Sequence, residues 1–217
     1  MNGTLWQQLA TQFTLRWNEL IAAIGQHIIL VLLSMLIAIV IGIPAGILIS
    51  RVPSLKGWVL GVASILQTIP SLALLGFMIP LFGIGTRTAV AALFLYSLLP
   101  IIRNTFTGIK DVNPSVIEAA RGMGMTQSQI LFRIELPLAL SVIMAGIRTA
   151  TVINIGTATL AAFIGAGGLG EFIFLGITRN IDALIFLGAL PAALLALLID
   201  YLLGMVERAT TPRGLKI

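Results

Sequence analysis

The side chains of this sequence that could act on another molecule lie in two settings. The first is the segment from Asn113 to Pro137, NPSVIEAARGMGMTQSQILFRIELP, the one long stretch too polar to sit in a membrane. Glu118 offers a hydrogen-bond acceptor there beside the small residues Ala119 and Ala120, and Gly124 permits a sharp reversal of the chain. A short helix of this kind can enter a groove on a partner closely. The second setting is a set of polar residues inside apolar runs: Gln67, Thr68, Tyr96, Arg148, Asn154 and Thr157. At membrane depth such groups face protein or water, so they can line a path for a polar solute or bond between helices. Covalent chemistry has few carriers. There is no cysteine, His27 is the only histidine, and no GxxxxGK[ST] phosphate loop occurs. These absences exclude a thiol nucleophile, a zinc site and ATP hydrolysis within this chain, and no residue is expected to be catalytic.

Local signals divide the polar segment into two helices. Asn113 is a good N-cap and Pro114 suits the first helical position, which predicts a helix from Pro114 to about Arg121, ended by Gly122 and Gly124. Thr126 and Gln129 form a capping box, predicting a second helix from Gln127 to about Ile134, with Pro137 opening the next element. Glu118-Ala119-Ala120, Gly124, Ile134 and Leu136-Pro137, at these spacings, resemble the EAA loop of permease subunits in bacterial ABC importers. The resemblance implies that Glu118, Ala119, Ala120, Arg121, Gly124, Ile134, Leu136 and Pro137 dock a cytoplasmic loop into a cleft on a separate ATP-hydrolysing subunit. On the residues alone, an amphipathic hairpin lying on the membrane surface stays open.

The rest of the chain is apolar. Of 217 residues, 58% are hydrophobic and 10% charged, against about 25% charged in soluble domains, and the mean hydropathy is +1.07. The expected fold class is an all-α membrane protein of about five transmembrane helices. Spans are predicted from about Gly25 to Ser50, Gly57 to Ile79, Thr88 to Phe106, beyond Pro137 to Phe163, and Ala183 to Met205. Residues 1–24 then form an N-terminal segment, 25–205 the transmembrane permease domain with the EAA-like loop at 107–137, and 206–217 a tail. Trp6, Leu9, Phe13, Trp17 and Leu20 recur at steps of three and four. They predict a helix whose aromatic face lies at the membrane interface or packs on the bundle. Residues 1–20 have no basic n-region or small-residue cleavage site, so a cleaved signal peptide is not expected.

Within the spans, Gly42-Ile43-Pro44-Ala45-Gly46 predicts close helix packing with a kink. Gln67-Thr68-Ile69-Pro70-Ser71 puts polar residues and a helix breaker inside the second span. Arg148 lies about 15 Å into the fourth helix, where a cation costs about 2.5 kcal/mol or more unless it pairs, snorkels or faces the bundle interior. Asp200 is a candidate partner, in a structural ion pair or a contact at a cytoplasmic gate. GAGGLG at 165–170 has the GxGxxG form but no strand before it, so a dinucleotide site is rejected in favour of a turn dipping into the bundle, with Glu171 to Ile177 as a short re-entrant helix. The stretches QTIPSLALL and YSLLPIIRNTFTGI are similar to permeases for glycine betaine, choline and carnitine, the osmoprotectant branch of the importers, and GAGGLG is similar to both the osmoprotectant and the methionine importer permeases. That resemblance implies a type I ABC importer permease architecture and a quaternary ammonium solute.

Charge sets the orientation. Placing the EAA-like loop in the cytoplasm gives that side nine of the Lys and Arg residues and the other side Arg16, Arg87 and Arg179. This bias predicts a multi-pass protein of the bacterial cytoplasmic membrane, with the N-terminus outside and the C-terminus inside. It also explains the pI near 10.5 without nucleic acid as a partner. The expected partners are an ABC ATPase subunit that binds ATP and Mg, an extracytoplasmic substrate-binding protein, a second permease subunit in a homodimer or heterodimer, and membrane lipid. The alternatives are an importer for another solute such as an amino acid, a secondary transporter or channel, or a membrane scaffold without transport.

Overall fold

The computed structural model describes residues 4–210 of the chain, and every regular element among them is helical. Helix α1 (Leu5–Leu15) opens with a capping box between Thr4 and Gln7. Only Arg16 separates it from α2 (Trp17–Arg51), because nothing between Trp17 and Gly25 breaks a helix. The helix carrying the first expected span therefore starts at Trp17. The face of α1 bearing Trp6, Leu9 and Phe13 borders a groove against Phe186 and Leu190 of the last helix, α10 (Asp182–Thr210), so it packs on the bundle.

Four helices are long and apolar enough to cross a membrane, and a bent pair makes a fifth if counted as one span. That pair is α3 (Pro53–Thr68) and α4 (Ser71–Phe82), which meet at 104°. A continuous span from Gly57 to Ile79 is therefore replaced by an elbow. Pro70 pushes the preceding Ile69 into extended backbone, at φ −63° and ψ 129°, and has no N–H to continue the ladder. The Tyr96 hydroxyl of α5 (Thr86–Lys110) donates to the Ile69 carbonyl that the break frees.

The polar segment follows α5. Helix α6 (Pro114–Gly122) matches its predicted bounds to within a residue, and Asn113 caps it by accepting from the Ser115 N–H at 3.0 Å. The second short helix differs from expectation. Its capping box forms, with Thr126 N–H donating to Gln129 Oε1 at 2.8 Å, but α7 (Gln127–Ile130) passes without a stop through a π turn at Leu131–Glu135 into α8 (Leu136–Ala158). Pro137 has no N–H to donate to the Arg133 carbonyl, and its ring crowds that carbonyl. The wider turn, in which Leu136 N–H reaches back to the Leu131 carbonyl, accommodates it without ending the helix.

Helices α2, α5 and α8 make the main core, with Leu30, Met35, Leu93, Ile101, Ile143 and Ile155 buried among them. Close approach needs small residues. A Cβ on Gly46 would come within 2.9 Å of the Ile102 carbonyl oxygen, and one on Gly146 within 2.9 Å of the Pro100 oxygen. The Gly42/Gly46 pair thus packs α2 onto α5 as its spacing predicts. At the end of the bundle away from α6, a short 3-10 turn (Thr159–Ile164) leads through the glycine run into α9 (Gly170–Arg179), which contains the short helix expected from Glu171 to Ile177. It folds against α10 around a second core of Leu20, Leu169, Phe172 and Leu184. The tail expected from residue 206 begins as the last turn of α10; residues 211–217 lie outside the described residues.

Candidate functional site

The α6 region presents most of its expected docking residues on an open surface. Glu118, Ala119, Arg121 and Gly124 are exposed. Ala120 is a correction to the expected pair of presented alanines: it is fully buried, because one turn of α6 must face the protein to hold the helix down. Gly124 takes φ +79°, a conformation costly for any residue with a Cβ, and the Met125 N–H bonds back to the Ala120 carbonyl at 3.1 Å. Ile134, Leu136 and Pro137 are half-buried in and after the π turn. Three large apolar side chains stay uncovered in this region, Val116, Met123 and Phe132, the last two 74% and 66% exposed. Such a patch beside Glu118 and Arg121 has the character of a protein-docking surface.

Behind α6 lies a cleft of about 260 Å³ bordered by Ser50, Arg51, Lys110, Glu118, Arg121 and Glu135. Glu135 is 3% exposed and is held by Arg51, whose Nη1 donates to Oε1 at 3.1 Å while Nη2 meets Oε2. Neither residue stood out in the sequence. The available signal was an acid at the base of an apolar run, in FRIELPLAL, which had to find a cation.

The polar residues inside the bundle do not converge. Asn154 is fully buried among α2, α5 and α8, with its Nδ2 3.0 Å from Ser34 Oγ, 2.7 Å from Ser97 Oγ and 3.3 Å from the Leu93 carbonyl. It sits in a three-helix joint, not on an open surface, and this corrects its expected place on a path. Thr157 is half-buried and bonds the Ile153 carbonyl of its own helix at 2.9 Å. Gln67 is half-buried and Thr68 exposed at the elbow, where Tyr96 also arrives. Arg148 pairs with Asp200 through Nε and Nη2, both at 3.0 Å, and with Glu207 through Nη1 at 2.7 Å. Asp200 and Glu207, two helical turns apart, share one face of α10, and the long Arg148 side chain reaches both; Glu207 was missed because that i, i+7 pairing was not considered.

Two further contacts fix the glycine run. The Gly168 N–H donates to Gln26 Oε1 at 3.1 Å, and His27, fully buried beneath it, places Nε2 3.1 Å from the Ile155 carbonyl, which can only accept. Gly165, Gly167 and Gly168 all have positive φ, as a turn entering the bundle requires. Among the described residues no cluster of His, Cys, Asp or Glu is arranged to hold a metal ion.

Comparison with known proteins places these features in context. The sequence model of the family described as binding-protein-dependent transport system inner membrane component matches residues 38–212. The chain is 46% identical over 209 residues to a glycine betaine/carnitine/choline transport system permease protein, OpuCB, of Bacillus subtilis, covering 96% of each chain. It is 46% identical to the carnitine transport permease protein OpuCB of Listeria monocytogenes, over 96% of this chain and 95% of that one. It is 50% identical to the osmoprotectant import permease protein OsmW of Salmonella typhimurium, over 88% and 91%. Among solved structures, the inward-facing MetNI methionine ABC transporter superposes with a TM-score of 0.79 at 25% identity, over 89% of this chain and 96% of that chain.

Proposed function

Because this chain belongs to the family of binding-protein-dependent transport system inner membrane components, we propose that it carries glycine betaine or a related quaternary ammonium osmoprotectant, such as choline, carnitine or proline betaine, into the cell. It is a multi-pass membrane permease with the fold of type I ABC importers, a transport component and not an enzyme. The energy comes from a separate ABC ATPase that binds ATP and Mg. An extracytoplasmic binding protein delivers the solute, and a second permease subunit completes the path. The observation that carries this reading is the exposed α6 surface, where Glu118, Ala119 and Arg121 stand beside uncovered Val116 and Met123. That surface faces the cytoplasm in the orientation favoured by the Lys and Arg bias, with Arg51, Lys110 and Arg121 around one cleft.

The bundle chemistry is compatible with a cationic solute. Arg148 is paired with two carboxylates, so the cluster carries an excess negative charge and does not repel a quaternary ammonium ion. The elbow at Ile69–Pro70, with Thr68 exposed and Gln67 half-buried, interrupts the helix, and Tyr96 takes the freed Ile69 carbonyl while the Thr68 side chain stays uncovered. A second permease subunit and the water path between the two would cover it. ATP and loaded binding protein favour an outward-facing dimer, and hydrolysis returns it inward, with the α6 region transmitting the change. The 25% likeness to the methionine transporter keeps an amino acid as the alternative solute, and the 46% to 50% identities favour osmoprotectants.

The test is uptake by proteoliposomes holding the chain with its ATPase and binding protein. ATP-dependent accumulation of labelled glycine betaine, choline or carnitine, undiminished by collapse of the proton gradient, is the expected result. Uptake of methionine alone overturns the solute assignment. Uptake that follows the proton gradient and ignores ATP overturns the importer reading.

A further inference from the structure

The Arg51–Glu135 ion pair joins positions 84 residues apart in the chain, and the docking surface of α6 does not require it. We infer that this pair is the mechanical link that carries movement of the α6 region to α3 and its elbow, with Arg51 and Glu135 as positioning residues for energy coupling. The inference rests on the reading of the chain as a permease driven by a separate ATPase.

Three observations carry it. First, a carboxylate with 3% exposure is held in place by its counter-ion, since separating the two would leave a buried charge unpaired. Two contacts to one guanidinium fix direction as well as distance, so the groups move together. Second, each partner stands at a joint. Glu135 closes the π turn between α7 and α8 and borders the cleft that Glu118 and Arg121 of α6 border from the other side. Arg51 ends α2, and Val52 alone, at φ −117° and ψ 86°, separates it from α3. Third, Gly46, five residues before Arg51, and Gly146, eleven residues after Glu135, both seat closely on α5, and these contacts resist sliding of the helices on the bundle side of the pair. Relative movement is therefore expected at the α6 ends of the helices, where the pair lies. A displacement of α6 that shifts the π turn pulls Arg51, turns α3 about Val52 and moves the elbow at Ile69–Pro70.

The experiment uses the complete complex in proteoliposomes and reads solute molecules imported per ATP hydrolysed. Glu135→Gln keeps the size of the side chain and removes its charge. The ratio is expected to fall about tenfold, the scale of a typical coupling free energy, while hydrolysis continues and ceases to respond to loaded binding protein. The exchange Arg51→Glu with Glu135→Arg is expected to recover part of the ratio. A purely structural role would reduce the amount of assembled complex and leave the ratio unchanged, so an unchanged ratio in Glu135→Gln overturns the link. If Glu135→Gln does not assemble, Arg51→Lys, which keeps the charge but gives up the two-pronged contact, is read in its place with the same criterion. A wild-type complex that imports no solute with ATP overturns the proposed function instead, which separates the two failures.

Discussion

Arg148 of α8 and Asp200 of α10 meet through two parallel hydrogen bonds, Nε to Oδ1 and Nη2 to Oδ2, each 3.0 Å long. Glu207 takes the remaining nitrogen Nη1, and Gly204 makes room, since a Cβ there would lie 3.3 Å from the guanidinium carbon. The cluster clamps the last helix to the bundle. Arg148→Gln is expected to leave two carboxylates facing each other and to lower stability. The Asp200 side chain is 39% exposed, so the Arg148–Asp200 coupling is expected to be small but measurable. A double-mutant cycle with Asp200→Asn, read by unfolding in mixed micelles, checks it. Additive single effects would contradict the clamp.

Asn154 is expected to act on stability and not on solute choice. Asn154→Ala loses its bonds across three helices, yet Ser34 and Ser97 keep their own-helix acceptors at 2.8 Å and 2.9 Å. The loss is therefore about 1–2 kcal/mol, in line with interhelical hydrogen bonds in membranes plus a small cavity. Thermal unfolding measures it. A changed preference among betaine, choline and carnitine in the folded protein would return Asn154 to the path.

Two glycines should respond in opposite directions. Gly46→Leu must displace Thr105 or the Ile102 backbone, and is expected to cost about 1–3 kcal/mol or to prevent folding. Gly57→Ala meets open space on α3 and is expected to stabilise the helix by about 0.5 kcal/mol. Melting temperatures of the two variants against wild type provide the comparison.

The docking loop is tested by Glu118→Lys combined with Gly124→Trp. Glu118→Lys reverses the exposed charge, and the tryptophan combines a left-handed backbone with a bulky group where nothing lies within 4 Å of the Cβ position. Gly124→Ala alone should cost only about 1–2 kcal/mol in backbone strain. The double variant is expected to fold and reach the membrane but to lose its ATPase in gentle purification, where wild type retains it. Retention by both would remove α6 as the docking surface.

Much of this protein was legible because its signals are local. Asn113 and Pro114 start a helix wherever they occur with the right neighbours, and Thr126 with Gln129 closes its own capping box. Long unbroken apolar runs favour helices in a membrane, since a helix bonds its backbone groups within its own segment. Where the reading failed, two local preferences competed. Pro70 and Pro137 are both helix breakers, yet the first makes a 104° elbow and the second only a π turn. The difference lies outside the dipeptide: Tyr96 waits to take the Ile69 carbonyl, whereas the helix around Pro137 is held by Arg51 on Glu135.

The amino-acid sequence by itself determined that the chain is a membrane helix bundle with one exposed polar loop, because hydropathy, capping and glycine placement act over a few residues. Only the tertiary structure decided which polar residues work together. Asn154 and Arg148 look alike in a hydropathy profile, as intramembrane polar residues on one helix. Asn154 turns into a fully satisfied three-helix joint and Arg148 onto two acids of another helix, since rotation about a helix axis and helix crossing are set by packing among distant segments. The Arg51–Glu135 pair arises in the same way, from the approach of the end of α2 to the π turn before α8, which no spacing in the chain encodes.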